Sequence, residues 1–412
     1  MDNKLKGLLA AILSIVLISC ASSEKKEGVT ITVSNDASVD FIGLLEINPD
    51  SIDGLNAGDM LQAFHMGNVI ATQWCDTNGD GKENVLCVEV ALKAKEKKQL
   101  YLVELDESEA NVVFENKTQA ELWHKTTGKF KEGRYVGGGN FSKFDSLRVP
   151  DGFMDHAYFI KYEGPGWESD KVGYRLYLDW RNAIDVFGKR VSQPILQDVG
   201  VDGYESYHHL EYWGMDVLKV GKSLGLGSTG WWDGEKAIRV EQTDSVSCRI
   251  LSSGIMRSQV QIWYNGWQLN DSKVNLISLK SIDAGSRMTH EHLSFDKAIK
   301  NICTGIRIEP ETKIITIEGS EQKWACLATW GKQSLNADHL GLAILYPLHQ
   351  DAVITKDKDS HVVVFEKALQ VVDYYFLAAW ELEKDGISSE ADFVRYLEDE
   401  LNKLENPLTL TK

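Results

Sequence analysis

The stretch Tyr174-Arg175-Leu176-Tyr177-Leu178-Asp179-Trp180-Arg181 holds a dense set of groups able to bind anions or move protons. Side chains of a strand alternate between faces, which predicts Tyr174, Leu176, Leu178 and Trp180 on a core face and Arg175, Tyr177, Asp179 and Arg181 opposite. Two guanidinium groups flanking a phenol and a carboxylate can hold a carboxylate or sulfate bidentately beside a proton-transfer group. The plain alternative is a solvated face with cross-strand ion pairs. Just upstream, Glu163-Gly164-Pro165-Gly166-Trp167-Glu168 is a turn with two carboxylates and an indole on which a sugar can stack. Downstream, His208 and His209 are adjacent. On an extended chain they point opposite ways, so at most one enters a given cleft as general acid or base. A structural histidine is the competing reading. Lys219 and Lys222 suit an anionic substrate or simply a soluble surface.

Two other groupings resemble metal sites. In Asp76-Thr77-Asn78-Gly79-Asp80-Gly81, oxygen donors alternate at Asp76, Asn78 and Asp80 before a glycine, as calcium requires. The position of an EF-hand's bidentate Glu is Cys87, so the loop is read as either a structural calcium site or a hairpin turn. His290 and His292 share one strand face at metal-binding spacing, with no third ligand evident nearby. There is no HExxH or P-loop pattern, and no cofactor is required by the residues present.

The elements that must position these groups read as strands. Val29, Ile31 and Val33 alternate, as do runs near 85–88 and 99–103, which predicts a small β-sandwich over 28–110 with a boundary at the acidic segment Glu104 to Glu109. Residues 111–412 read as a large β-sandwich, because glycine punctuates short strands until Phe393, Leu397, Leu401 and Leu404 recur at helical spacing. Ser389 followed by Asp392 predicts the cap of that single C-terminal helix. The fold class expected is therefore all-β with one terminal helix. At 412 residues the chain exceeds the size of most single cores, and a net charge of −17 argues against a nucleic-acid partner. Lys4 and Lys6 precede an apolar run from Leu8 to Ile18, too short to span a bilayer, which ends in Leu17-Ile18-Ser19-Cys20. This resembles a bacterial lipobox. Residues 1–19 would be the signal peptide, Cys20 the lipidated residue, residues 20–27 a tether, and the location a bacterial membrane facing the periplasm or cell surface. The other five cysteines are odd in number and match no zinc spacing, so buried small hydrophobes are expected.

The strings Tyr162 to Asp170, Tyr174 to Lys189 and Trp213 to Gly221 resemble signature blocks of the family called domain of unknown function 4861, which occurs in bacterial polysaccharide-degradation clusters. The turn Asp76 to Gly81 and the segments at Thr329 and Leu340 to Ala343 are similar too. The resemblance implies an oligosaccharide dehydratase acting on ulvan fragments. It would remove water from a non-reducing-end uronate, sulfated or not, to leave a 4,5-unsaturated sugar for a downstream unsaturated glycuronyl hydrolase. It also implies a large domain like the sandwiches of sugar mutarotases. Such chemistry needs positive charge to stabilise the enediolate, for which Arg175 or Arg181 qualifies, and an acid and a base, for which His208 or His209 and Tyr177 or Tyr174 qualify. Glu163, Trp167, Asp179 and Lys219 are then expected to hold the sugar. A polysaccharide lyase, a non-catalytic glycan-binding lipoprotein, and a glycosidase using Glu163 with Asp179 are the alternatives.

Overall fold

In the computed structural model, residues 28–52, 55–105 and 112–411 are described; the signal peptide, Cys20 and the tether lie outside them, as does most of the acidic boundary segment. Alternation does what the sequence predicts at the start of the chain. Ile31 and Val33 of strand Val29–Ser34 turn inward and are fully buried. They meet Leu100 and Leu102 of the antiparallel strand Lys97–Glu104, and Leu45, Val88 and Val90 of a facing three-stranded sheet. Each such side chain contributes roughly 1.5–3 kcal/mol on burial. The five-stranded sheet of this unit takes its edge strand, Thr409–Thr411, from the other end of the chain, with Thr32 opposite Thr411.

The rest is a larger sandwich. Its first layer is a nine-stranded antiparallel sheet whose centre is four long strands, Arg257–Leu269, Ser272–Asp283, Met288–Ile299 and Leu369–Trp380. Their inward residues, among them Val260, Leu276, Leu293 and Phe376, share one core with two five-stranded sheets that form the opposing layer. One of those contains Val172–Leu176 and Ile184–Lys189, the other Ile302–Arg307 and Ser360–Phe365. Strands thus account for nearly all the regular structure, and the all-β class is as expected. All five cysteines after Cys20 are buried and free, with the Cys75 and Cys87 thiols 3.2 Å apart.

The single α-helix among the described residues, Glu390–Glu405, lies on the outer face of the nine-stranded sheet. It buries Phe393, Leu397 and Leu401 against Cys326, Ala343 and Leu345. Ser389 caps it, its hydroxyl accepting the Asp392 amide at 3.1 Å. Ser389→Ala is expected to cost about 1 kcal/mol, readable as a lower urea midpoint with an unchanged slope.

Candidate functional site

The site begins with a hairpin. Strands Val172–Leu176 and Ile184–Lys189 pair so that Arg175 lies directly across from Asp185, and Gly214–Asp216 pairs on the far side of the second strand. The hairpin closes through Asp179–Asn182, where the Asn182 amide donates to the Asp179 carbonyl and Asn182 takes φ 39°. Asparagine tolerates that left-handed conformation better than most residues. Because the loop breaks the alternation after Leu176, Trp180 leaves the expected core face and is 49% exposed.

Arg175 is 2% exposed and every nitrogen of its guanidinium is engaged. Nε and Nη2 donate to Asp185 Oδ2 at 3.2 and 2.7 Å, and Nη2 also reaches Asp216 Oδ2 at 2.7 Å and the Tyr177 oxygen at 2.8 Å. Nη1 donates to the Tyr207 oxygen at 2.9 Å. Tyr177 in turn donates to Asp185 Oδ2 at 2.6 Å. Burial, and then the neighbouring Asp216 carboxylate, push Asp185 up to about 7 against the opposing pull of Arg175. Two carboxylates sharing one guanidinium in a dry site cannot both ionise easily.

This network floors a cavity of about 550 Å³ whose lining includes Tyr177, Asp185, Asp216, His208, Lys219 and Trp180. His208 ends the 3₁₀ turn Ser206–His208, and its Nε2 lies 3.5 Å from Asp216 Oδ2, a charge pairing rather than a hydrogen bond. The Asp216 carboxylate raises the imidazole above its ordinary value, more than partial burial lowers it. Lys219 is exposed on the cavity wall and forms no ion pair among the described residues. Arg181 lies over the Tyr177 ring, its Cζ 3.9 Å from the centroid, so the phenol sits between two guanidinium groups.

Beside this sheet the segment around Ile195 to Asp198 is irregular chain, and buried charges replace the missing strand ladder. The Lys161 ammonium donates to the carbonyls of Leu196 and Gln197 while pairing with Glu121 at 2.6 Å. Glu168, paired with Lys189, accepts the amides of Ile195 and Leu196 at 2.8 Å. Buried backbone groups must find partners, and these side chains supply them.

Of the residues singled out from sequence, Tyr177, Arg181, His208 and Lys219 line one cavity, and Arg175 sits immediately beneath it. Several expectations need correction. Both arginines are largely committed within the protein: Arg175 as above, and Arg181 to Asp179, to Glu163 at 2.9 Å and to Asp155 at 3.0 Å. Asp179 and Glu163 are consequently anchors for Arg181 rather than sugar ligands, and as buried, paired carboxylates they do not form a glycosidase pair. Tyr174 is a core residue whose oxygen bonds the Arg287 carbonyl at 2.6 Å and the Ala378 amide at 3.0 Å. Trp167 is fully buried, its Nε1 donating to Thr289, and offers no stacking face. His209 is exposed and stands outside the cavity lining.

The Asp76–Gly81 loop lies away from this cavity, docked on the large sheet through Gln259 and Gln261, which donate to the carbonyls of Asp76 and Gly79 at 2.7 Å. Both Asp76 oxygens accept backbone amides, those of Gly79 and Gly81 at 2.6 Å. His290 and His292 flank Asp373 at 3.1 and 2.8 Å, which orients both imidazoles without a metal.

Sequence reasoning passed over Asp185, Asp216 and Tyr207, and placed Trp180 on the wrong face. The signal for Asp185 was available: folding the chain back at Asp179–Asn182 puts it opposite Arg175. Nothing local marks Asp216 or Tyr207, which arrive from a separate strand and a 3₁₀ turn.

Fold and site together define an all-β sandwich protein with an Arg–Asp–Tyr floor beneath a polar cavity. The chain belongs to the family described as Domain of unknown function (DUF4861), whose model matches residues 41–410. Uncharacterized protein P7 of Formosa agariphila is 22% identical over 438 residues, covering 98% of this chain and 98% of that protein. Two solved structures from Enterococcus faecalis, a protein in glycosyl hydrolase family 38 and an alpha-mannosidase, align over 93% of this chain at 9% identity, with TM-scores of 0.45 and 0.44. The chain spans less than half the length of those two, 47% and 45%.

Proposed function

We propose that the protein is a carbohydrate-active dehydratase, which eliminates water from the non-reducing-end uronic acid of ulvan-type oligosaccharides to give a 4,5-unsaturated uronate. The observation that supports this reading is the convergence on one cavity of a phenol and an imidazole, each joined to its own carboxylate of a single buried Arg175 network. Tyr177 takes the C5 proton as its own phenolic proton passes to Asp185, and Arg175 stabilises the transient phenolate oxygen. The electron pair left on C5 delocalises into the uronate carboxylate, which Lys219 neutralises. It then forms the C4–C5 double bond as the C4–O bond breaks, and His208, held protonated by Asp216, gives its proton to the departing hydroxyl. The products are one water and one unsaturated sugar. A downstream unsaturated glycuronyl hydrolase would consume that sugar, and lipidation at Cys20 would hold the enzyme at the membrane.

Product masses test the assignment. Incubation with sulfated and desulfated uronate-ended oligosaccharides should yield products lighter by one water and unshortened; chain cleavage would instead assign a lyase, and binding without change a glycan receptor. The pH profile is a second test. The base route requires ionised Asp185, so turnover rises with pH through about 7. The acid route requires protonated His208, so turnover falls as pH passes its raised value. Asp216→Asn removes the charge that raises His208, and the falling limb should move to lower pH.

Calcium at Asp76, Asn78 and Asp80 is a separate proposal, supported by the alternating oxygens and by Gly81 at φ +88°. Added calcium should raise the melting temperature of the wild type and leave Asp80→Ala unmoved.

A further inference from the structure

A second hollow of about 510 Å³ adjoins the first, and Trp180 lines both. The half-exposed indole therefore stands on the ridge between them, with the Arg239 guanidinium 5.3 Å from its centroid. That cation–π contact steadies the ring at a place where a large apolar side chain is otherwise costly to expose. The charges around the second hollow are unequal in availability. Arg239 pairs with Glu241 at 3.6 Å and Lys358 with Asp359 at 3.8 Å. Asp357 is committed to the amides of Ala237, Asp359 and Ser360. Lys222 and Lys236 have exposed ammonium groups without an ion pair among the described residues, against one such carboxylate, Glu235.

We propose that this hollow is a second sugar subsite, in which a residue beyond the terminal disaccharide stacks on Trp180 and presents an anionic substituent to Lys222 and Lys236. Sugar rings carry an apolar C–H face suited to an indole, and two ammonium groups lining the same hollow suit a sulfate or a carboxylate. The inference rests on the reading that the first cavity holds the chain's terminal uronate. It makes the enzyme one that measures length: a tetrasaccharide occupies both hollows, a disaccharide incompletely.

Calorimetry with uronate-ended di- and tetrasaccharides, each sulfated and desulfated, tests this independently of turnover. The wild type should bind the sulfated tetrasaccharide about tenfold or more tighter than the sulfated disaccharide, a difference of about 1.4 kcal/mol. Lys222→Ala/Lys236→Ala should shrink that ratio, and Trp180→Ala should abolish it while Trp180→Phe retains most of it. A desulfated tetrasaccharide that keeps the full advantage identifies the carboxylate as the recognised anion; one that loses it identifies sulfate. Equal affinity for both lengths in the wild type, or variants that weaken both lengths alike, would overturn the second subsite. The dehydratase reading fails separately, on absence of product from oligosaccharides that bind.

Discussion

Tyr177→Phe and His208→Ala should each lower kcat on a uronate-ended oligosaccharide by about 10²–10⁴-fold, with the folded structure intact by circular dichroism. Each change removes one proton carrier and leaves its carboxylate partner in place: Asp185 still accepts from Arg175, and Asp216 still pairs with it. Tyr177→Phe also keeps the ring that lies between the two guanidinium groups. His209→Ala is the matched control and should turn over like the wild type. If both substitutions left kcat within a few-fold, the Tyr177–His208 assignment would be wrong whatever the products.

The second large effect falls on stability. Arg175→Ala leaves Asp185 buried with no counter-charge and Asp216 with His208 alone, which should cost about 3–5 kcal/mol. A chemical denaturation curve would show this as a markedly lower midpoint. Burial already makes Asp185 bind its proton more tightly in the folded than in the unfolded chain, and removing the opposing guanidinium strengthens this. Folded pKa values above the unfolded ones mean that stability falls as pH rises, so the defect should be larger at alkaline than at acid pH. Arg175→Lys should recover only part of it, because one ammonium cannot repeat contacts spread over three nitrogens. An inactive Arg175→Ala protein is therefore informative about catalysis only after its folding has been measured.

How far these features were readable in advance depended on how local their causes are. Strand Val29–Ser34 and helix Glu390–Glu405 follow from short-range periodicity and a cap, and both stand where the pattern put them. Tyr177 and His208 were legible because a phenol beside arginines and a paired histidine are unusual surface choices. Their partners were not, since Asp216 is forty-one residues from Arg175 and meets it only through sheet register. The opposite error arose at Trp167 and Glu163. A Gly-Pro-Gly turn suggests exposure, yet Trp167 lies on the strand Gly166–Glu168 and points into the main core, while Glu163 is buried against Arg181 and the His156 amide. Arg181 shows a subtler failure: residue type announced an anion-binding group, but Asp155, Glu163 and Asp179 had already answered it.

The way the small sandwich joins the large one has a mechanical consequence. Gln73 grips the backbone of Met256 and Arg257, Gln259 and Gln261 grip the Asp76–Gly81 loop, and the final strand Thr409–Thr411 zips onto Val29–Ser34. The peptide connection between the two units is thus one attachment among several. A chain nicked there would hold together as a non-covalent pair and melt in a single step, like a clasped box whose hinge pin has been drawn.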